Sequence, residues 1–325
     1  MMQQPTWWTH RGLGAQLLRP LSWLYRLGFL LDRARTTTMA APLPVIAIGN
    51  VTAGGAGKTP TSIAVAQMLR NMGVVPHIVS RGYGGRITHT HRVDPAVDSA
   101  ADVGDEPLLL AQHAPTWVGS DRHASCVAAK AAGASVIVAD DAMQHHRLQH
   151  DLVLLVVDGS FGFGNGLLLP AGPLREPLSH ALARPHVQVL QIGGETLHPA
   201  LPAGSLRATL QPAMDTGFLA AGKWLAFAGI ARPQKFYATL QQCGATLAAT
   251  RDFPDHHAFT PAELDALLYE AQAQGLQLIT TEKDAQRIAA PWRAQLAVLP
   301  VALALEDEDA LRSILTTTLA HARRA

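Results

Sequence analysis

The chain has few cysteines and almost no net charge. Its 325 residues include only two cysteines, Cys126 and Cys243, which lie far apart and belong to no CxxC or Cys/His zinc spacing. The sequence therefore excludes a disulfide framework and a closed cysteine zinc site, and a reducing compartment is expected. Because the formal net charge is +1, no overall field draws the chain to nucleic acid, and we expect no nucleic-acid partner.

A long uninterrupted apolar run is also missing. Within residues 7–31, Arg19 and Arg26 interrupt the apolar stretch, which falls short of the roughly 20 apolar residues that a membrane span needs. The leucines recur at helical spacing: Leu17, Leu18, Leu21, Leu24, Leu27 and Leu31. The segment also carries aromatic and basic side chains: Trp7, Trp8, Trp23, Tyr25, Arg11, Arg33 and Arg35. This pattern favours a helix that lies on an anionic membrane surface. A helix packed against its own domain is the alternative.

The rest of the chain alternates short apolar runs with helical stretches. Such alternation predicts an α/β fold with a parallel sheet covered on both faces, and the length favours about two domains. We expect a membrane-associated helix in residues 1–35, a phosphate-loop core domain in 36–205 and a second, smaller α/β domain in 206–325. Residues 193–222 are rich in Gly, Pro and Ala and are interpreted as a linker.

A phosphate-binding loop is the most informative feature. The segment GNVTAGGAGKTP (49–60) follows the predicted strand VIAIG and opens a predicted helix, which is the context this motif requires. We expect the whole loop to bind nucleotide, with Lys58 reaching the β- and γ-phosphates and the Thr59 hydroxyl binding Mg²⁺. The loop residues are Thr52, Ala53, Gly54, Gly55, Ala56, Gly57, Lys58 and Thr59.

Two departures from common nucleotide motifs bear on this interpretation. Thr52 stands where the strict phosphate-loop pattern has its first glycine. The segment TEKD (281–284) is similar to the N-K-x-D element of guanine-binding proteins, but its Lys and Asp are adjacent, so the spacing is wrong. ATP is therefore favoured over GTP.

Acidic residues follow a second predicted strand. Asp140 and Asp141 end the apolar run VIVA (136–139), and ligands of open parallel sheets bind at the carboxyl ends of strands. They are thus placed like a Walker B pair near Mg²⁺, although a plain strand-end turn is the alternative. Nearby His145, His146 and His150 lack a tetrahedral ligand set and are expected to face solvent or substrate.

Other acids and histidines carry less information by themselves. Asp105 and Glu106 begin a predicted helix, where acids are ordinary. The segment FPDHHAF (253–259) is a polar turn between a predicted strand and a predicted helix.

Taken together, these motifs resemble a known family. The segments GNVTAGGAGKTP, SRGYGG, VGDEP, SDR, DDAMQHH, GNGLLLPAGPLREP, FPDHHAF and TTEKD stand in the order typical of the tetraacyldisaccharide 4'-kinases of lipid A synthesis. The resemblance implies two α/β/α domains with the site in the cleft between them. It also implies ATP and Mg²⁺, a lipid A disaccharide 1-phosphate precursor phosphorylated at its 4'-hydroxyl, and a monomer at the cytoplasmic face of the bacterial inner membrane, bound peripherally or through a single helix.

The resemblance also assigns site residues. It implies that Asp105 is the general base and that His256 is its partner from the second domain, so that the pair is complete only when the cleft closes. Lys58 and Asp141 would join them in catalysis. The implied metal ligands are Thr59, Asp140, Gln144 and Glu176. The implied substrate contacts are Arg81, Tyr83, Arg122 and Arg175. Ala142 and Met143 replace the family's usual Gly and Phe, so the local turn can differ.

Two other functions remain possible from the residues. The chain could be a phosphate-loop NTPase that serves as a metallochaperone or partner-regulated switch, with the histidines as metal ligands. No lysine stands at position 53 and no CxxC occurs, both of which count against that class. The chain could also be a membrane-bound nucleotide sensor without catalytic activity, in which case no phosphorylated lipid would form.

Overall fold

The computed structural model describes residues 5–322 and contains two sheets. The larger sheet has nine strands in the order β13-β8-β7-β6-β1-β5-β2-β4-β3. Its strands are β1 Val45–Gly49, β2 Pro76–Ser80, β3 His91–Arg92, β4 Thr116–Val118, β5 Val136–Ala139, β6 Leu152–Asp158, β7 Val187–Ile192, β8 Leu206–Pro212 and β13 Val301–Leu305. All pairs are parallel except the two edge strands β3 and β13. The predicted parallel α/β class is confirmed.

Helices and loops cover both faces of the larger sheet. The helices of the chain up to residue 182 are α1 Leu13–Arg35, α2 Lys58–Asn71, α3 Ala100–Val103, α4 Asp105–Ala111, α5 Arg122–Ala131 and α6 Leu178–Leu182. Side chains of β1 alternate between the faces, as strand geometry requires. Ile46 and Ile48 pack in the cluster that includes α2, while Val45 and Ala47 pack in the cluster that includes α5.

The smaller sheet has four parallel strands in the order β10-β9-β11-β12. They are β9 Lys223–Ala228, β10 Thr246–Asp252, β11 Gln277–Thr281 and β12 Ala297–Leu299. The remaining helices are α7 Pro233–Gln242, α8 Pro261–Ala273, α9 Glu282–Ala285, α10 Ala290–Arg293 and α11 Glu308–Ala322. The α7 face buries Trp224, and the α8 face buries Phe227. Thr260 caps α8 and Pro261 opens it, as the sequence predicts.

The expected linker at 193–222 is wrong over its second half. Residues 206–212 form β8, which pairs with β7 on one side and β13 on the other. The strand was not predicted because glycine and proline in the flanking loops made the whole segment resemble a linker. Its side chains Leu206 and Ala208 are buried. The pairing thus places 206–212 and 301–305 in the larger sheet, although the expected second domain was 206–325. We call residues 36–212 and 301–322 the large unit and residues 217–299 the small unit.

Helix α1 contacts the large unit along a narrow strip. Within it only Ala15 and Ser22 are buried. The Ser22 hydroxyl donates to the Leu168 carbonyl at 2.8 Å, and the Tyr25 hydroxyl donates to the Arg175 carbonyl at 3.0 Å. Much of its apolar surface is exposed, including Leu13, Leu17, Leu21, Trp23, Leu24 and Leu27. Across residues 5–322, no helix combines the length and apolarity needed to cross a bilayer.

Candidate active site

The loop between β1 and α2 has the backbone of an anion site. Gly54 and Gly57 adopt φ values of 110° and 89°, which side chains with a Cβ rarely tolerate. A Cβ on Gly57 would lie 2.6 Å from the Ile192 Cδ1 atom. The amides of residues 54–57 donate to no residue within 5–322, and the first turn of α2 adds the positive end of a helix. Free amides and a helix N-terminus together suit a polyphosphate.

The first half of the loop is held by the segment 173–175. The Ala53 amide donates to the Pro173 carbonyl at 2.8 Å, and the Arg175 amide donates to the Val51 carbonyl at 2.7 Å. The Ala53 amide thus has a protein partner, so the amides available to an anion begin at Gly54. Thr52 is buried and forms a bridge with Leu174, which explains why this position needs no glycine.

Asn50 supports the loop from beneath, and it was not predicted. Its fully buried side chain donates to the Thr52 carbonyl at 2.7 Å, and its Oδ1 accepts from the Lys58 Nζ at 3.4 Å. The Lys58 Nζ also lies 3.7 Å from the Asp141 carboxylate. Asn50 directly follows the last residue of β1. Because ligands bind at the carboxyl ends of parallel strands, this position could have identified Asn50 as a site residue.

Asp140 and Asp141 directly follow β5, beside the loop, and have different environments. Asp140 is buried, and its Oδ1 accepts from the Ser62 hydroxyl at 2.7 Å, while its Oδ2 has no hydrogen-bond partner among residues 5–322. Burial and the nearby charges of Glu106 and Asp141 raise the pKa of Asp140 to about 7. Burial also acts on Asp141, but Lys58, Arg175 and Arg122 outweigh it and lower the Asp141 pKa.

The Asp140 oxygen without a partner and the Thr59 hydroxyl in the first turn of α2 fit a magnesium ion. Mg²⁺ binds hard oxygen ligands and is usually held by one or two carboxylates together with substrate phosphates and water. Within residues 5–322 no three His, Cys, Asp or Glu side chains lie together as a metal cage. His145, His146 and His150 therefore do not form the ligand set that a metallochaperone would need.

Glu176 and Gln144 take part in a buried brace, an arrangement that differs from the expected magnesium contacts. Glu176 is fully buried, and both of its oxygens accept from the Arg184 Nη2 at 2.7 Å. The Gln144 amide donates to the Glu176 Oε1 at 3.0 Å and to the Asn50 carbonyl at 2.8 Å. Arg184 already pairs with both carboxylate oxygens, so Glu176 supports the phosphate loop in this structure. The magnesium contacts of Glu176 and Gln144 stay a prediction.

Asp105 and His256 meet across the two units. Asp105 begins α4 of the large unit, and His256 lies in the turn between β10 and α8 of the small unit. The His256 Nδ1 lies 3.0 Å from the Asp105 Oδ2. His256 has φ 59°, a left-handed conformation that is uncommon for a residue with a Cβ and is found preferentially at functional sites. The expected pair is thus in contact in the structure.

The Asp105 carboxyl is poised in its ionised form. Burial raises its pKa, but the hydrogen bond from His256 and the charges of Lys283 and Arg287 outweigh burial and lower the pKa to about 2. Asp105 is therefore ionised throughout the physiological range of pH, as a proton acceptor must be.

The four predicted substrate contacts divide into exposed and buried side chains. Arg81 is exposed, and Tyr83 is 55% exposed with its ring 5.8 Å from the His256 ring. Arg175 pairs with the Asp141 carboxylate at 3.3 Å. Arg122 is only 4% exposed and donates to the carbonyls of Asp140 and Asp141 at 3.1 and 3.0 Å. Arg122 thus holds the turn that bears Asp140 and Asp141, and its contact with a substrate stays a prediction.

Comparison with known proteins gives the family. Residues 14–320 match the sequence model of the family described as tetraacyldisaccharide-1-P 4'-kinase. The chain belongs to this family. The resemblance seen in the motifs is therefore confirmed.

Members of the tetraacyldisaccharide 4'-kinase family resemble this chain over nearly its whole length. This chain is 46% identical to the tetraacyldisaccharide 4'-kinase of Dinoroseobacter shibae, over 96% of this chain and 95% of that protein. It is 47% identical to the one from Methylobacterium nodulans, over 94% of this chain and 92% of that protein. The crystal structure of LpxK from Aquifex aeolicus in complex with ATP matches with a TM-score of 0.74 at 25% identity, covering 94% of this chain and 99% of that one.

Ion pairs that join the two units of this tetraacyldisaccharide 4'-kinase family member were not predicted from the sequence. Lys283 contacts Glu106 at 3.0 Å, and Arg287 contacts Asp105 at 3.3 Å. Asp158 of the large unit pairs with Arg232 and Lys235 of the small unit, the latter at 2.6 Å. Asp158 ends β6 as Asp140 follows β5, so its strand-end position was a signal. The basic partners had none, because they lie far away in sequence.

Proposed function

We propose that this protein transfers the γ-phosphoryl group of ATP to the 4'-hydroxyl of a tetraacyldisaccharide 1-phosphate. Its membership of the tetraacyldisaccharide-1-P 4'-kinase family supports the reaction, and the similarity to a structure with bound ATP supports the nucleotide. The single observation that carries the mechanism is the contact between Asp105 and His256, which joins the large unit to the small unit.

The phosphate loop would hold the nucleotide by its polyphosphate. The amides of residues 54–57 donate to phosphate oxygens, and the Lys58 ammonium, positioned by Asn50 and Asp141, neutralises charge on the β- and γ-phosphates. Thr59 and Asp140 are the residues that would hold Mg²⁺. When bound, this ion supplies positive charge that offsets the developing charge of the transferred group.

Asp105 would accept the proton of the sugar hydroxyl as the hydroxyl oxygen attacks the γ-phosphorus atom. Phosphoryl transfer has a loose transition state and depends on positioning more than on a strong base, so a carboxylate of low pKa is sufficient. His256 would donate from Nδ1 to Asp105 and orient it. Because the two residues belong to different units, opening of the cleft would separate them and suppress idle hydrolysis of ATP.

The substrate would approach from the membrane. The exposed apolar face of α1 and its basic side chains suit the headgroup region of an anionic bilayer. We assign α1 to the membrane surface and not to a span. No helix within residues 5–322 is both long enough and apolar enough to cross a bilayer. Tyr83 is exposed beside His256, and Arg81, two residues earlier, is also exposed. Both would contact the disaccharide 1-phosphate headgroup.

The test is a direct assay of product. The purified protein is incubated with γ-labelled ATP, Mg²⁺ and a lipid A disaccharide 1-phosphate in detergent micelles, and the lipid is analysed by mass. We expect one added phosphoryl group with the natural protein and none with Lys58→Met. Nucleotide hydrolysis that responds to a metal or a protein partner, without any phosphorylated lipid, would instead identify a switch.

A further inference from the structure

We infer that Lys283 and Arg287 are positioning residues that hold the Asp105–His256 pair in its reactive arrangement. Both belong to the segment TEKDAQR (281–287), which includes α9 and follows β11 in the small unit. The inference rests on the proposed function, in which Asp105 is the proton acceptor. It gives a role to the segment TEKD (281–284), which is similar to the guanine-binding N-K-x-D element in residue types but not in spacing.

Arg287 joins three parts of the site. Its Nε lies 3.3 Å from the Asp105 Oδ2, its Nη1 donates to the His257 carbonyl at 2.8 Å, and its Nη2 donates to the Gly229 carbonyl at 3.0 Å. The Gly229 carbonyl also accepts from the His256 amide at 3.1 Å. One guanidinium therefore contacts the carboxylate of the large unit and the loop that bears its histidine partner.

Asp284 holds this guanidinium in place. It is fully buried, pairs with the Arg287 Nη2 and accepts from the Gly229 amide at 3.0 Å. A Cβ on Gly229 would lie 3.1 Å from the Asp284 Oδ1 atom, so a larger residue here would crowd the carboxylate. The Thr281 hydroxyl accepts from the Asp284 amide at 3.0 Å and caps α9. The segment 281–287 thus carries its two cations, Lys283 and Arg287, on a rigidly held turn.

Lys283 determines which nitrogen of His256 carries the proton. Its Nζ lies 3.3 Å from the His256 Nε2 and 3.0 Å from the Glu106 Oε1. An ammonium group can only donate, so the Nε2 accepts, and the ring hydrogen resides on Nδ1. The Nδ1 then donates to Asp105. This arrangement leaves the carboxylate, and not the imidazole, as the group that can take a proton from substrate.

The charges around Asp105 act in the same direction. Asp105 is faced by a hydrogen-bond donor, His256, and by two cations, Lys283 and Arg287. The nearby carboxylates have other contacts: Glu106 pairs with Lys283, and Asp284 pairs with Arg287. Asp255 lies 3.9 Å from the His256 Nε2. Burial alone would raise the pKa of Asp105. Without the two cations, less would oppose the effect of burial, and the carboxyl would be protonated at higher pH.

The experiment compares Arg287→Gln, Lys283→Met and the double variant with the natural protein. The conservative variants Arg287→Lys and Lys283→Arg keep the charge, and Arg293→Gln is a matched control on an exposed arginine of the same unit. We measure kcat, the KM for ATP and the ratio of variant to natural kcat across the acid range. The ratio cancels any titration that both proteins share, such as that of Asp140.

We expect kcat to fall about 10- to 100-fold in the neutral variants, with the KM for ATP changed by less than about threefold. The ratio should fall further as pH decreases, because the Asp105 pKa rises by about one to three units when opposite charge is removed. The conservative variants should recover a large part of kcat. A ratio that is constant with pH, or unchanged kcat, would overturn the inference.

A second measurement does not depend on catalysis. The carboxyl ¹³C resonance of Asp105, assigned by its loss in Asp105→Asn, should not titrate between about pH 7 and about pH 4 in the natural protein. In the double variant it should titrate within that range. If Arg287→Gln does not fold, Lys283→Met serves alone, because the Lys283 side chain is partly exposed. Absence of lipid product from the natural protein would refute the proposed function, while identical Asp105 titrations would refute only this inference.

Discussion

Replacing Arg184 by alanine tests whether Glu176 braces the phosphate loop. In the structure Glu176 is fully buried, with Arg184 on both of its oxygens and Gln144 as the further side-chain donor. Gln144 in turn contacts the carbonyl of Asn50, which supports Lys58. The substitution therefore removes a charge partner from a buried carboxylate at the base of the loop.

The expected cost follows from this burial. Removing one partner of a buried ion pair leaves an uncompensated charge and costs about 3–5 kcal/mol. For a unit of this size we expect a fall in melting temperature on the order of 10 °C. Removing both partners, as in Arg184→Met with Glu176→Leu, should recover most of the stability, because apolar groups of similar volume avoid the desolvation penalty.

The assay compares Arg184→Ala, and the double-mutant cycle of Arg184→Met and Glu176→Leu, in the metal-free protein, with circular dichroism recorded during thermal and urea unfolding. Glu176→Gln, which keeps the shape of the side chain, should lower stability and leave the magnesium dependence of ATP binding nearly unchanged. If Glu176 instead binds the metal, Glu176→Gln would weaken that dependence and spare stability. A change of less than about 0.5 kcal/mol in Arg184→Ala would refute the reasoning.

Three further predictions concern the site and the membrane helix. Asp105→Asn should lower kcat by at least ~10²-fold while ATP binding persists; near-normal turnover would contradict its assignment as the base. Because the Asp140 pKa is raised to about 7, folding favours its protonated form, so its contribution to the stability of the metal-free protein is present at low pH and lost as pH rises through about 7. Asp140→Asn should remove this loss in melting experiments; equal pH dependence in both proteins would count against it. Leu17→Ser with Leu21→Ser should weaken flotation with anionic vesicles, whereas Val97→Ser, at a position as exposed as Leu17, should not.

Local sequence alone determined the parts of this protein that depend on neighbouring residues. The loop GNVTAGGAGKTP, the strand before it and the helix after it follow from glycine spacing and apolar periodicity, which act over a few residues. The Thr260 cap and Pro261 likewise marked the start of α8. The order of such motifs was sufficient to predict the family, because the motifs contain the chemistry itself.

Tertiary structure alone decided which distant groups meet. Strand β8 looked like part of a linker because its identity depends on β7 and β13 as neighbours. Glu176 and Arg122 have charged side chains in polar segments, yet the fold buries both against partners that no local pattern reveals. The contact of Arg287 with Asp105 spans the two units. Charge pairing of this kind depends on distance and burial in space, and linear sequence specifies neither.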